Sequence, residues 1–371
     1  RVAVLVMCLL PNAGSFGMAV STAMIFGLVS LMFLDTSINM AMQPFKMMVG
    51  DMVNEKQKGL AYSIQSFLCN AGSLVGFLFP FIFTWIGISN IAPQGVVPDS
   101  VIYSFYIGAA ILILCVIYTT VKVKEMPPAE YAEYHGITEE EKKEKINMVK
   151  LLVKAPKAFW TVGLVQFFCW FAFMFMWTYT NGSVAANVFD APTVETVVNG
   201  ANKVVLDTKS IQYQNAADWV GVLFAVQAIG SVLWAVCIPM FKNRKLIYSL
   251  SLVLGGIGFI STYFVHNQYV LFISFLLIGC AWAAMLALPF TILTNALSGG
   301  HMGTYLGLFN GTICIPQIVA ATLGGSILAL FTPKGMLPPE INMLVMAGVM
   351  LIIGAVCVYL IKETKGEQAK A

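Results

Sequence analysis

Nine apolar runs, each about twenty residues or longer, follow one another along this 371-residue chain with short breaks between most of them. They cover approximately residues 18–46, 60–86, 101–121, 158–180, 217–241, 246–265, 269–297, 302–331 and 341–361. The hydrocarbon core of a bilayer is about 30 Å thick, and a helix crosses it with roughly 20 apolar residues. Backbone polar groups find no water there, so only helices or closed barrels can span it. Barrel strands would be about ten residues long with alternating polarity, which these runs are not. The chain is therefore an all-α polytopic membrane protein. Composition agrees: 58% of residues are hydrophobic and 11% charged, whereas soluble domains carry about 25% charge to cover their surface. A net charge of +3, spread thinly, gives no basis for a nucleic-acid partner. The eight cysteines lie in apolar runs without metal-ligand spacing and read as helix-packing residues, so neither a metal nor a cofactor is expected.

Cationic loops resist translocation, so lysines and arginines report orientation. Arg1 aside, alternate breaks hold 17 Lys and Arg residues in one set and three in the other. The richer set is taken as cytoplasmic and includes the C-terminus, which gives a multi-pass protein of the cell membrane. One cytoplasmic break is distinctive: Lys122 to Lys157 holds eight lysines, seven glutamates and Pro127-Pro128, and reads as a solvated linker. Six full runs follow it; three precede it, together with a short run before Pro11. Transporters are commonly built from two equal bundles around a midplane site. A six-plus-six plan lacking its first two and a half helices would explain both the asymmetry and a first residue that is Arg1. The expected organisation is then 1–121, the remainder of an N-terminal bundle; 122–157, a linker; 158–361, a six-helix bundle; and 362–371, a cytoplasmic tail.

A charge at the bilayer centre costs at least about 2.5 kcal/mol. One carboxylate lies that deep, Asp35. At about 100° per residue, Asn39 is displaced some 40° from it and Lys46 about 20°, so the three share a stripe that must face the bundle interior. Asp35 either binds a proton or substrate or pairs with a cation on another helix. Pro44 interrupts this helix, and Asp51 beyond it is either a solvated charge or part of an ion-paired cytoplasmic gate.

A second constellation lies in the run 158–180, where Gln166, Trp170, Phe173 and Trp177 share one helical face. An amide with aromatic rings suits a sugar, whose hydroxyls need hydrogen bonds while its C–H faces lie on rings. An interfacial aromatic belt explains Trp177 and Tyr179 equally well, but Gln166 and Trp170 poorly. Trp282 and Pro289 occur in the run 269–297. Asn310 and Gln317, seven apart, share a face interrupted by Pro316, where either ligand binding or interhelical hydrogen bonding is in keeping with the spacing. The three histidines fall in breaks, and no nucleotide-binding, Ser-hydrolase or zinc-protease motif occurs.

The segment Asp35, Asn39, Pro44, Lys46 and Asp51 resembles the fourth helix of the glycoside–pentoside–hexuronide:cation symporters within the major facilitator superfamily. The likeness is greatest to plant-type sucrose transporters and their bacterial and animal proton-coupled relatives. It continues in Gln65-Ser66-Phe67, in Leu164 to Phe171, in Trp219 to Ala225, in Trp282 to Phe290 and in Gly307 to Ala320. The family usually has Arg where Lys46 stands, which removes the bidentate contact an Arg would make. The resemblance implies a twelve-helix fold of two bundles, alternating access, and symport of an α-glucoside of the maltose or sucrose class with a proton. It implies no enzymatic activity and a monomer in the bilayer. Asp35 would couple the proton; Asn39, Gln166, Trp170, Asn310 and Gln317 would face the sugar; Pro44, Lys46, Asp51 and Pro316 would serve gating. A sodium-coupled, melibiose-type symporter and a sugar sensor that does not transport are the rival readings.

Overall fold

A computed structural model describes residues 57–88, 99–123, 148–198, 201–296, 302–333 and 335–361, with scattered positions between 27 and 53 and at 127 and 130. Asp35, Asn39, Pro44, Lys46, Asp51 and most of the charged linker lie outside the described residues. Helices occupy the apolar runs: α1 Lys58–Trp85, α2 Asp99–Lys122, then a short α3 Met148–Val153. After these come α4 Lys157–Asn187, α5 Ile211–Cys237, α6 Arg244–Ser261 and α7 Leu271–Ala296. The last are α8 Met302–Phe309, α9 Gly311–Phe331 and α10 Ile341–Cys357. Among the described residues, seven helical stretches are long and apolar enough to cross a membrane. Side chains start several of the helices. Ser210 Oγ accepts from the Tyr213 amide at 3.2 Å to cap α5, and Asn243 Oδ1 accepts from Leu246 at 3.1 Å to cap α6.

One break is more ordered than its sequence suggests. Between α4 and α5 an antiparallel hairpin pairs β1 Thr193–Val198 with β2 Ala201–Leu206, in the register Thr193 to Leu206 through Val198 to Ala201. The Val and Thr residues of these strands favour extended pairing.

The chain divides into two compact units, Arg1–Met52 with Val75–Glu144, and Val53–Leu74 with Lys145–Ala371. In the first unit, Phe83 of α1 meets Tyr103 of α2 with ring centroids 6.4 Å apart. In the second, α5 packs on α7, α7 on α6, α6 on α10, α10 on α4 and α4 on α9, with α4 also touching α5 and α7. The central α4 is apolar nearly all round and buries residues along its whole length, as a helix enclosed by others should. Lipid is as apolar as leucine, so these helices associate through close packing, which small residues permit. A Cβ on Gly230 of α5 would meet the Leu276 carbonyl of α7 at 2.6 Å, and one on Gly279 would strike the backbone of Gln227 and Ser231. Gly256 and Gly348 bring α6 and α10 together in the same way.

At one end of this unit, aromatic rings close the packing. Phe159 meets Tyr305 and Phe309, Phe309 meets Phe290, and Phe290 stacks on Tyr62 at 6.4 Å. Tyr305 also donates to the Leu151 carbonyl of α3 at 3.3 Å.

A side chain at Gly279 would press on main chain, which cannot yield as a side chain does. Gly279→Leu should therefore cost more than the usual ~1–3 kcal/mol of overpacking and abolish the monodisperse peak in size-exclusion chromatography. Gly221→Leu, on α5 with open space around it, should leave that peak intact. Equal yields of the two variants would refute glycine-mediated α5–α7 packing.

Candidate functional site

Proline builds the centre of this site. Pro289 lies inside α7 and has no N–H, so the carbonyl four residues earlier, at Met285, loses its helical partner. Gln166 of α4 supplies the replacement: its Nε2 donates to the Met285 carbonyl at 2.9 Å. This satisfies half of a side chain that is 1% exposed. The other half, Oε1, is buried without a partner. One turn further along α4, the indole Nε1 of Trp170 is buried and likewise unpartnered. An acceptor and a donor thus sit unused on successive turns of one helix face. Leaving such a group unsatisfied in a dry interior costs about 1–3 kcal/mol, which a hydroxyl-bearing ligand would recover.

Rings surround these two atoms. Trp170 meets Trp282 of α7 at 5.7 Å, nearly edge to face, and Trp177 meets Trp282 at 5.7 Å in the same manner. Trp170 and Trp177 lie 6.4 Å apart. Phe173 packs under the indole of Trp282 at 4.8 Å and on Phe259 at 5.8 Å. Phe173 and Gln166 are fully buried, whereas Trp170 and Trp282 are half-buried and Trp177 is exposed. The cluster therefore has a closed floor and an open rim of three indoles. The face proposed to line a ligand is also the face that packs on α7, so Phe173 in its floor is structural, and a ligand is left the indole rim with the unpartnered atoms of Gln166 and Trp170 beneath it.

The amides of α8 and α9 lie at other levels. A Cβ on Gly163 would meet Thr312 at 3.0 Å, and one on Gly324 would meet the Tyr179 hydroxyl at 2.6 Å. These two contacts fix α4 and α9 as parallel neighbours. Along that pairing Asn310 lies about one turn below Gln166, at the joint between α8 and α9. Its Nδ2 reaches only Cys314 Sγ at 3.8 Å, and its Oδ1 is buried and unpartnered. Gln317 lies between the levels of Gln166 and Trp170, half-buried on the flank of the stripe Ile313, Pro316, Ala320 and Gly324 that faces the bundle. Pro316 frees the Thr312 carbonyl just as Pro289 frees Met285.

The structure thus brings Gln166 and Trp170 together, sets Asn310 and Gln317 on a neighbouring helix, and adds Trp282 and Met285, which single-helix periodicity could not place. The signal for Met285 was present, since a proline four residues downstream marks a carbonyl in need of a donor. Among the described residues no group of His, Cys, Asp and Glu has the arrangement of a metal site.

Known structures share this architecture. The chain superimposes on a variant of the E. coli fucose:proton symporter FucP with a TM-score of 0.60 and 15% identity, over 98% of this chain and 83% of that one. A second crystal structure of FucP, in the outward conformation, gives a TM-score of 0.64 at 14% identity, over 98% of this chain and 82% of that one. No curated protein sequence matches the chain. The Major Facilitator Superfamily profile matches residues 1–201 and 184–371, and the chain accordingly belongs to that superfamily of membrane transporters, which are not enzymes.

Proposed function

We propose that the protein is a secondary active transporter of the cell membrane that carries a sugar of the α-glucoside class together with a proton, as a glycoside–pentoside–hexuronide:cation symporter. The unpartnered Gln166 Oε1 and Trp170 Nε1 beside the rim of Trp170, Trp177 and Trp282 are the observation that carries the sugar reading. A sugar presents hydroxyls to such atoms and C–H faces to such rings. The likeness to FucP, a fucose:proton symporter, supports sugar and proton as a pair. Asn39, Asn310 and Gln317 would add amides to the site. Pro44, Lys46, Asp51 and Pro316 would act where helices bend or close. The distribution of lysines supports a cytoplasmic C-terminus, with 122–157 as a cytoplasmic linker between two bundles.

Coupling is assigned to Asp35. Protonated, it is neutral and tolerated in a dry interior; ionised, it requires water or a cation. Proton occupancy would then bias the populations of inward- and outward-open states. Labelled maltose and sucrose uptake into proteoliposomes should accumulate under an inward proton gradient, and Asp35→Asn should abolish accumulation. Uptake driven by a sodium gradient instead, or an Asp35→Asn protein that still concentrates sugar, would refute proton coupling.

The binding site has its own test. Trp170→Phe keeps an aromatic ring but loses the N–H and the second ring of the indole, so apparent sugar affinity should fall at least roughly fivefold, equivalent to about 1 kcal/mol. Trp282→Ala removes a stacking surface worth about 0.5–1.5 kcal/mol beyond its area and should weaken binding by at least as much. Tryptophan-fluorescence titration would measure both, and affinities equal to that of the native protein would remove these residues from the site.

A further inference from the structure

A carboxylate at the other end of α4 does what its sequence position does not suggest. Glu340 is the N-cap of α10, where an acid ordinarily bonds the first free amides of its own helix. It makes no such side-chain cap. Its carboxylate is instead turned sideways onto Gly182 of α4, so close that a Cβ there would coincide with it. Only glycine leaves this seat open. The α4–α10 pair is antiparallel, and its register is held at two places. Glu340 lies on Gly182 at one, and fourteen residues away along each helix Gly354 lies against Phe168 and Val165 at the other.

The seat is almost free of compensating charge. Past Lys157, α4 carries no charged side chain; its ionisable groups are Cys169, thirteen residues from Gly182, and Tyr179, whose phenol interacts electrostatically with Glu340. Neither α9 nor α10 contains a charged residue, and the charges of α6, Arg244 and Lys245, lie at its opposite end. Lys334, in the connection before Glu340, lies outside the described residues. Beside the seat, the hydroxyl of Ser183, itself 1% exposed, is buried without a partner. It lines a small cavity with Asn187, Thr262 and Ile341. Burial pushes the Glu340 carboxyl up to about 7 from its ordinary 4.5.

We propose that Glu340 is a proton-binding site at the end of the bundle remote from the C-terminus, and that its protonation locks α10 onto α4 over Gly182. The neutral acid stays seated. The ionised carboxylate leaves for water, and the α4–α10 junction loosens. This site is separate from the coupling role assigned to Asp35 and stands whether or not that role does.

The full-length protein in lipid nanodiscs allows a direct reading by infrared spectroscopy, because a protonated carboxyl has a carbonyl stretch that a carboxylate lacks. The native-minus-Glu340→Gln difference should show that band titrating with a midpoint near pH 7. Gly182→Ala, which blocks the seat, should lower the midpoint towards the ordinary value of 4.5. A native midpoint already in that ordinary range, or a midpoint unmoved by Gly182→Ala, would overturn the proposal. If Glu340→Gln does not fold, Glu340→Asp replaces it as the reference, since its shorter arm cannot reach the seat and its band must titrate lower. Stability gives an independent readout. The folded state holds this proton more tightly than the unfolded chain, so the contribution is complete below about pH 4.5 and is lost as pH rises through about 7. The melting temperature of the native protein should fall across that window more steeply than that of Glu340→Gln; parallel curves would contradict the site. None of these readings involves transport, so failure of proton-coupled uptake would leave them unaffected.

Discussion

Main-chain hydrogen bonding in a medium without water is the constraint on which the rest of this protein depends. Every amide and carbonyl within the hydrocarbon must be paired inside the chain, and the long apolar runs meet that demand as helices. The same constraint makes exceptions conspicuous. Where Pro289 withdraws an amide from α7, the Met285 carbonyl must be satisfied from elsewhere, and Gln166 of α4 does so. That single bond ties two helices together. It also commits one half of the glutamine and leaves the other half unpaired, beside an unpaired indole N–H. The candidate site is thus a by-product of repairing a proline break, not a separate construction.

Association of the helices follows from the same medium. With no hydrophobic gain in leaving lipid for a neighbouring helix, the pairs rely on close approach. The principal pairings of the second unit carry glycines at their crossings, as at Gly230 and Gly279 or Gly256 and Gly348. Side chains too large for such crossings, among them the indoles of Trp170, Trp177 and Trp282, are gathered into a layer of their own between α4 and α7.

Much of this architecture was legible in the sequence, because span length and helical period are local properties. The apolar runs 60–86, 101–121 and 341–361 fall within two residues of the helices Lys58–Trp85 and Asp99–Lys122 and of the span Ile341–Leu360. The common face of Gln166, Trp170, Phe173 and Trp177 was readable too. What that face touches was not, since α7 lies more than a hundred residues away and a period reports direction without naming the neighbour. The hairpin at 193–206 is too short to register as a membrane span, although Asn199-Gly200 between valine-rich stretches is a turn signal in the sequence. Glu340 stands at a helix boundary, where a charged residue is unexceptional in a sequence. Its burial depends on Gly182, a residue with no side chain to advertise it.

The position of Glu340 relative to the indole rim has a mechanical consequence. α4 and α10 touch closely at Gly182 and again beside Phe168. If the first contact opens, the second is the natural pivot, and a helix moves as a rigid rod of about 1.5 Å rise per residue. Gln166 lies two residues from the pivot, about 3 Å along the axis; Trp177 lies nine residues away, about 14 Å, and Gly182 fourteen, about 21 Å. A displacement at Gly182 is therefore passed to Trp177 at roughly two-thirds of its size and to Gln166 hardly at all. The bond from Gln166 to Met285 holds the floor of the cluster on α7 from the same short distance. Protonation at Glu340 would thus act on the open rim of the aromatic cluster and spare the amide beneath it, which separates a group that sets access to the cluster from the groups that hold its contents.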